Sequence, residues 1–188
     1  MFKIGVFGSS ADVTDRSIEE KAAEVGAELA KQNCIVITGG CPGLPYIAAE
    51  SAHKHGGEVW GFSPAHNLEE QYKIYTDNDP TIYTKLIYVS SSFELANNVK
   101  ACRKYRNVIS VAACDAGIII SGRWGTLNEL TNLLDYGKVI GILTGTGGVS
   151  DEIENLMSKI KKETGALVIY DNNPQMLIEK IINTLKNV

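Results

Sequence analysis

Short apolar runs alternate with amphipathic helical stretches along almost all of this 188-residue sequence, and that pattern specifies a parallel sheet with crossover helices. The apolar runs predict seven strands, at residues 3–7, 34–38, 58–62, 86–89, 116–120, 139–143 and 167–170. Between them, Ile18, Ala22, Val25 and Leu29 recur at helical spacing behind Ser17-x-x-Glu20, which reads as a capping box. Ile153, Leu156, Met157 and Ile160 repeat in the same way, as do Ile178, Ile181, Ile182 and Leu185. A further helix is expected over 93–113. The fold class that follows is α/β, a Rossmann-like three-layer sandwich with a mostly parallel sheet of about seven strands. With no internal repeat or low-complexity linker, residues 1–188 are expected to form a single domain.

Composition narrows the function classes. A 44% hydrophobic, 21% charged chain is neither disordered nor membranous, and no apolar run approaches the roughly 20 residues of a spanning helix. Residues 1–7 meet Gly8-Ser9-Ser10 instead of a longer apolar region and read as a first strand, not a signal peptide. Cys34, Cys41, Cys102 and Cys114 lack CxxC spacing, which suits reduced thiols and a cytoplasmic protein. The net charge of −4, with no basic run, argues against a nucleic-acid partner. His53 and His55 form an HxH pair, but they close a polar helix before Gly56-Gly57 and read as a solvated end; no metal is expected. The polar, tyrosine-bearing stretch 64–84 is either a lid or subunit contact, or a surface excursion with one short helix.

In open α/β sheets, ligands bind beyond the carboxyl ends of the strands, so the turns there carry the chemistry. Three are rich in glycine or hydroxyl groups: Gly8-Ser9-Ser10-Ala11, Thr38-Gly39-Gly40-Cys41-Pro42-Gly43-Leu44 and Ser121-Gly122-Arg123-Trp124-Gly125-Thr126. Each can be a simple chain reversal. Each can equally bring backbone N–H groups and a helix N-terminus to a phosphate. Thr126 is expected to begin a helix with Leu127, Leu130 and Leu134 on its apolar face. Glu129, one turn in, would lean back toward the loop mouth or merely complement the macrodipole. On the preceding helix, Leu95, Val99, Cys102, Ile109 and Ala113 share a face with Arg106. A guanidinium on a buried stripe needs a partner or a water-filled cleft: Asp115 is one partner, outward snorkelling an escape, and a ligand cleft the favoured reading.

These residues resemble the LOG-like family, long labelled lysine-decarboxylase-like. The likeness rests on residues 4–10, on Thr38-Gly39-Gly40-x-x-Gly43-Leu44, on 56–64, and on Arg106 placed before Ser-Gly-Arg-Trp-Gly-Thr-Leu-Asn-Glu at 121–129, and it covers roughly residues 3–143. The resemblance implies a phosphoribohydrolase that cleaves the N-glycosidic bond of a nucleoside 5′-monophosphate, or a carrier of a molybdopterin-type cofactor as in a sister branch. It implies Arg106 and Glu129 as the catalytic pair. It implies phosphate or nucleotide contacts from Gly8, Ser9, Gly39, Gly40, Gly43, Asn107, Ser121, Gly122, Arg123, Gly125 and Thr126. It further implies a homo-oligomer, dimer or tetramer, that binds a small nucleotide-like molecule and needs no cofactor.

The family signature PGGxGTxxE is altered in two places, with Ser121 for its proline and Arg123 for its second glycine. The Arg-Lys pair of the hydrolases is Arg106-Asn107, which resembles the carrier branch. Arg123 places a Cβ and a cation where a positive φ or a close backbone approach is expected. No lysine lies in a context suited to a Schiff base, so a pyridoxal decarboxylase is not expected.

Overall fold

Strand residues alternate between two cores, as a pleat with period two requires. Ile4, Val6, Val36, Ile118, Ile120 and Leu143 point into one, while Phe7, Ile35, Ile37, Ile119, Ile140 and Ile142 point into the other. Because both faces are covered, the strands read as continuous apolar runs, the mark of a fully buried parallel sheet. The computed structural model describes residues 1–10, 15–76, 78–160 and 162–188.

Its strands are β1 (Lys3–Gly8), β2 (Ile35–Thr38), β3 (Glu58–Ser63), β4 (Lys85–Tyr88), β5 (Ala116–Ile120), β6 (Val139–Leu143) and β7 (Leu167–Asp171). The helices are α1 (Arg16–Lys31), α2 (Leu44–Lys54), α3 (Leu68–Ile74), α4 (Val99–Ala112), α5 (Trp124–Asp135), α6 (Val149–Lys159) and α7 (Pro174–Asn187), with a short 3-10 turn at Pro80–Ile82. All strand pairs among the described residues are parallel, in the order β4-β3-β2-β1-β5-β6-β7. The architecture is a Rossmann-like three-layer α/β fold. α1, α2 and α7 pack on one face of the sheet. α4, α5 and α6 cover the other. Strand order reverses between β1 and β5, which opens a crevice at their carboxyl ends.

Several helix starts differ from expectation. α1 is capped by Asp15, whose Oδ1 accepts from Ser17 N at 2.9 Å and also holds the Ser17 hydroxyl, so Ser17 is capped, not capping. The helix expected from 93 begins only at Val99, because Asn98 Oδ1 takes the free N–H groups of Lys100 and Ala101, both at 3.1 Å. Residues 93–98 instead form successive turns, and Leu95 and Val99 are exposed. α5 starts two residues early, at Trp124. Asp115 does not pair with Arg106; its Oδ2 accepts from Lys3 N at 2.8 Å and ties β5 to β1. His53 and His55 are exposed at the end of α2, and no group of three or more His, Cys, Asp or Glu is placed for a metal among the described residues. No helix among them is long and apolar enough to cross a membrane.

Candidate functional site

The crevice between β1 and β5 is walled by loops that touch one another. After β2, Gly43 adopts φ 82°, and a Cβ there would lie 2.2 Å from the Ser9 carbonyl, so only glycine lets this loop abut the loop after β1. Leu44 N, at the start of α2, donates to that same carbonyl at 2.9 Å. Of the first loop, Gly8, Ser9 and Ser10 are described, and Ala11 lies outside the described residues.

Gly39 serves a different purpose. A Cβ on it would lie 1.4 Å from Arg106 Nη1, so the guanidinium rests on bare backbone. Gly40 is held from outside, its carbonyl accepting from Gln71 Nε2 at 2.8 Å, and Gln71 in turn meets the Ser63 hydroxyl. The segment 64–84 is an excursion that carries the expected short helix and packs back against the loop after β2. It contributes α3, the buried Gln71 and a wall residue, Tyr75, whose phenol burial pushes up in pKa while Arg106 and Arg103 act against the shift.

Behind the third loop, Ser121 N donates to Thr146 Oγ1 at 2.9 Å, and Val149 and Ser150 N–H groups donate to the carbonyls of Gly122 and Ser121 at 2.9 and 3.1 Å. The positive φ angles fall on Ser121 (52°) and Gly122 (105°). Arg123 has φ −133°, so the expected conflict between its side chain and a left-handed backbone does not arise. It is exposed at the N-cap of α5, where no side chain caps the helix and Gly125 and Thr126 of the first turn line the crevice. A Cβ on Gly125 would meet nothing within 4 Å, which marks the loop's open side.

The resulting cavity is about 530 Å³. Of the residues expected at the site, Gly8, Ser9, Arg106, Asn107, Arg123, Gly125, Thr126 and Glu129 line it. Gly39, Gly40, Gly43 and Ser121 stand behind its wall, and Gly122 faces a neighbouring groove. Ser10, Cys41, Pro42, Tyr75, Lys100, Arg103 and Lys104 line it without having been among the site residues expected from the sequence. The signal for the cations was present, since Lys100, Arg103, Lys104 and Arg106 fall within seven residues.

Arg106 is 6% exposed and its Nη1 has no hydrogen-bond partner. Glu129, 7% exposed, lines the same cavity, and the two make no ion pair. Burial pushes the Glu129 pKa up to about 7, against the opposing pull of Arg106 and Lys104. The hydrogen-bonding pattern favours the Asn107 amide orientation in which Nδ2 donates to Glu129 Oε1 at 3.2 Å and to the Arg103 carbonyl at 3.0 Å. Asn107 therefore orients the carboxylate without supplying the positive charge that a lysine would. Burial also raises the Cys41 pKa, so at neutral pH it is a thiol and not a nucleophile.

A family model described as the SLOG cluster4 family matches residues 1–178. The chain belongs to the SLOG cluster4 family. The LOG-like resemblance drawn from the glycine turns therefore holds. Among solved structures, this SLOG protein is similar to TM1055, with 20% identity, full coverage of both chains and a TM-score of 0.78. It is also similar to the molybdenum cofactor carrier protein of Chlamydomonas reinhardtii, with 19% identity, full coverage of both chains and a TM-score of 0.68. DNA processing protein A of Helicobacter pylori, described for its single-stranded DNA binding mode, is 18% identical over 99% of this chain and 81% of that one, with a TM-score of 0.64. Comparison with curated proteins finds no match. At these identities the likeness shows the fold. The third neighbour corrects one expectation: a fold of this kind serves a protein that binds single-stranded DNA, so the net charge does not exclude nucleic acid. The physical reason is local, because cations concentrate at the crevice of a chain that is acidic overall.

Proposed function

We propose that the crevice binds a phosphorylated nucleoside and that Glu129 and Arg106 cleave its N-glycosidic bond, as in a nucleoside 5′-monophosphate phosphoribohydrolase. The observation that supports this most is a buried carboxylate with a pKa pushed up to about 7, opposite an incompletely paired buried guanidinium in one cavity. The phosphate sits at the open end of α5, against the amides of Gly125 and Thr126, with Arg123, Gly8 and Ser9 around it. Gly39, Gly40, Gly43, Ser121 and Gly122 shape these loops from behind, and Asn107 orients Glu129.

As the bond from sugar to base breaks, positive charge develops on the sugar, and ionised Glu129 stabilises it and takes a proton from the attacking water. That proton returns to the departing base, which regenerates the carboxylate. Arg106 holds the base or the sugar during the step. No metal or organic cofactor enters this reaction. The four free, buried cysteines support a cytoplasmic setting, and assembly into a homo-oligomer belongs to the same reading, testable by gel filtration.

The test is release of free base from AMP and other nucleoside monophosphates by the wild type and by Glu129→Gln, with thermal shift as the binding readout. Base release lost in the variant, with binding retained, supports hydrolysis. A second reading, a non-catalytic carrier of a nucleotide or molybdopterin-type cofactor, is favoured by Asn107 and by the likeness to the carrier of Chlamydomonas reinhardtii. Stabilisation by a nucleotide or pterin without base release from any monophosphate selects it.

A further inference from the structure

Helix N-termini prefer acidic residues, because the macrodipole puts partial positive charge there. α1, α3 and α6 follow the rule, with Glu19, with Glu69 and Glu70, and with Asp151 and Glu152 in their first turns. α2 and α7 carry no charge there, whereas α4 and α5, which line the crevice, place cations at their starts. α4 has no acid in its first turn and carries Lys100, Arg103 and Lys104 over its first two turns, while α5 has Arg123 at its N-cap and no acid in its first turn. With Arg106, five cations line one cavity whose single carboxylate among the described residues is Glu129. None of the five makes an ion pair among the described residues, whereas Arg16, Lys31, Lys54, Lys73, Lys162 and Lys180 each have an acidic partner. Five cations with no ion pair among the described residues repel one another and oppose two helix dipoles, an arrangement that a strongly anionic occupant would stabilise.

One phosphate monoester brings about two negative charges and occupies one anion position. The cavity's cations come from two places, Arg123 at the α5 loop and Lys100, Arg103 and Lys104 on the first two turns of α4. Arg106 stands in the wall of the same cavity, with its buried Nη1 resting on Gly39 without a hydrogen-bond partner. We propose that the preferred ligand carries a second anionic group held by Lys100, Arg103 and Lys104, as in a nucleoside 5′-diphosphate or a diphosphate-bridged nucleotide. This rests on the nucleotide reading of the crevice and narrows it. A small molecule is favoured over a polymer because Arg106 and Glu129 lie buried in a concave pocket of about 530 Å³, the scale of a small-ligand site.

The experiment is calorimetric titration of the full chain at low salt with AMP, ADP, inorganic phosphate and pyrophosphate, on the wild type and on the Lys100→Ala/Lys104→Ala double variant. Both lysines are exposed, so the variant is expected to fold, which its melting temperature checks. ADP is expected to bind about tenfold tighter than AMP, the factor one added charge-assisted contact supplies. Pyrophosphate should exceed phosphate similarly. Both advantages should vanish in the double variant and shrink with salt. ADP no tighter than AMP, or an advantage that survives in the variant, overturns the proposal. Pyrophosphate preferred while neither nucleotide binds keeps the second anion position and sinks the nucleotide reading, so the two failures are distinguishable. Single-stranded DNA that binds tighter than ADP, and loses that binding in the same variant, overturns the small-molecule occupant.

Discussion

The two helix layers of this fold are built to different rules. In the layer of α1, α2 and α7, one charged side chain is buried, Glu28, and it is served by Gln32 Nε2 at 3.0 Å and Lys31 Nζ at 3.4 Å. Everything else packed there is small or apolar, and α1 lies so close to α2 that Gly26 touches the Ala48 carbonyl region. The layer of α4, α5 and α6 buries Arg106, Asn107, Ser110, Thr126, Glu129 and Ser150. Its two charged members face a cavity instead of each other. One layer therefore secures the sheet, and the other gives up part of its stability to hold charges ready for a ligand. Stability and binding should separate by layer.

The largest expected effect breaks the first layer. Gly26→Ala would place a Cβ 1.9 Å from the Ala48 carbonyl oxygen, a backbone atom that cannot step aside without moving a helix. A loss of about 2–3 kcal/mol is expected, seen as a lower midpoint in urea, with ligand affinity of the folded protein unchanged. Next comes Glu129→Gln, with the opposite sign. Its carboxyl pKa stands above the ordinary 4.5, at about 7, so the folded state disfavours ionisation and stability is lost as pH rises through that window. The glutamine variant should accordingly be more stable than wild type at pH 8, by on the order of 2 kcal/mol, and near parity at pH 4. Equal stabilities at pH 8 would mean that Glu129 is well solvated or fully paired.

Gly39→Ala sharpens the contrast with Gly26. The clash is even closer, 1.4 Å, but it is with the far end of a flexible side chain. We expect a stability change within about 1 kcal/mol and roughly a tenfold loss of nucleotide affinity by titration, because the guanidinium must leave its seat. If instead the variant unfolds and binding per folded molecule is intact, Arg106 is a structural group and the division between layers fails.

Much of this was legible from the sequence, for reasons specific to each element. The ends of β5 and β6 match expectation because their buried five-residue runs stop at Ser121 and Thr144, where the polar turns begin. Helix starts were less legible, since they depend on which side chain captures the first free N–H groups. Asp15 outcompetes Ser17 there, and Asn98 ends a stretch of turns whose Leu95 continues the spacing of Val99 and Cys102 in α4 without being helical. Arg106 and Glu129 were visible as charges on apolar stripes. Tyr75, which lines the crevice, and Gln71, which holds Gly40 from behind its wall, were not, because both come from a distant segment and no local period marks such a contact. Arg123 looked strained only because its φ cannot be read from a motif; the left-handed residues are its two predecessors.

The smallest expected effect lies at the boundary between the crevice and its apolar neighbour. Trp124 is 79% exposed and borders a groove of about 420 Å³ walled by Leu127, Val149, Ile153 and Leu156, which shares Arg123 with the crevice. An indole with most of its surface in water contributes little to the packing of its own chain, so Trp124→Ala should shift stability by no more than about 0.5 kcal/mol. Denaturant titration at two protein concentrations checks this. A larger loss, together with a midpoint that rises with protein concentration, would mean that the groove is covered by another copy of the chain. In that case the second layer has a packing role at its outer edge, and its unpaired charges, not its apolar surface, are what distinguish it from the first.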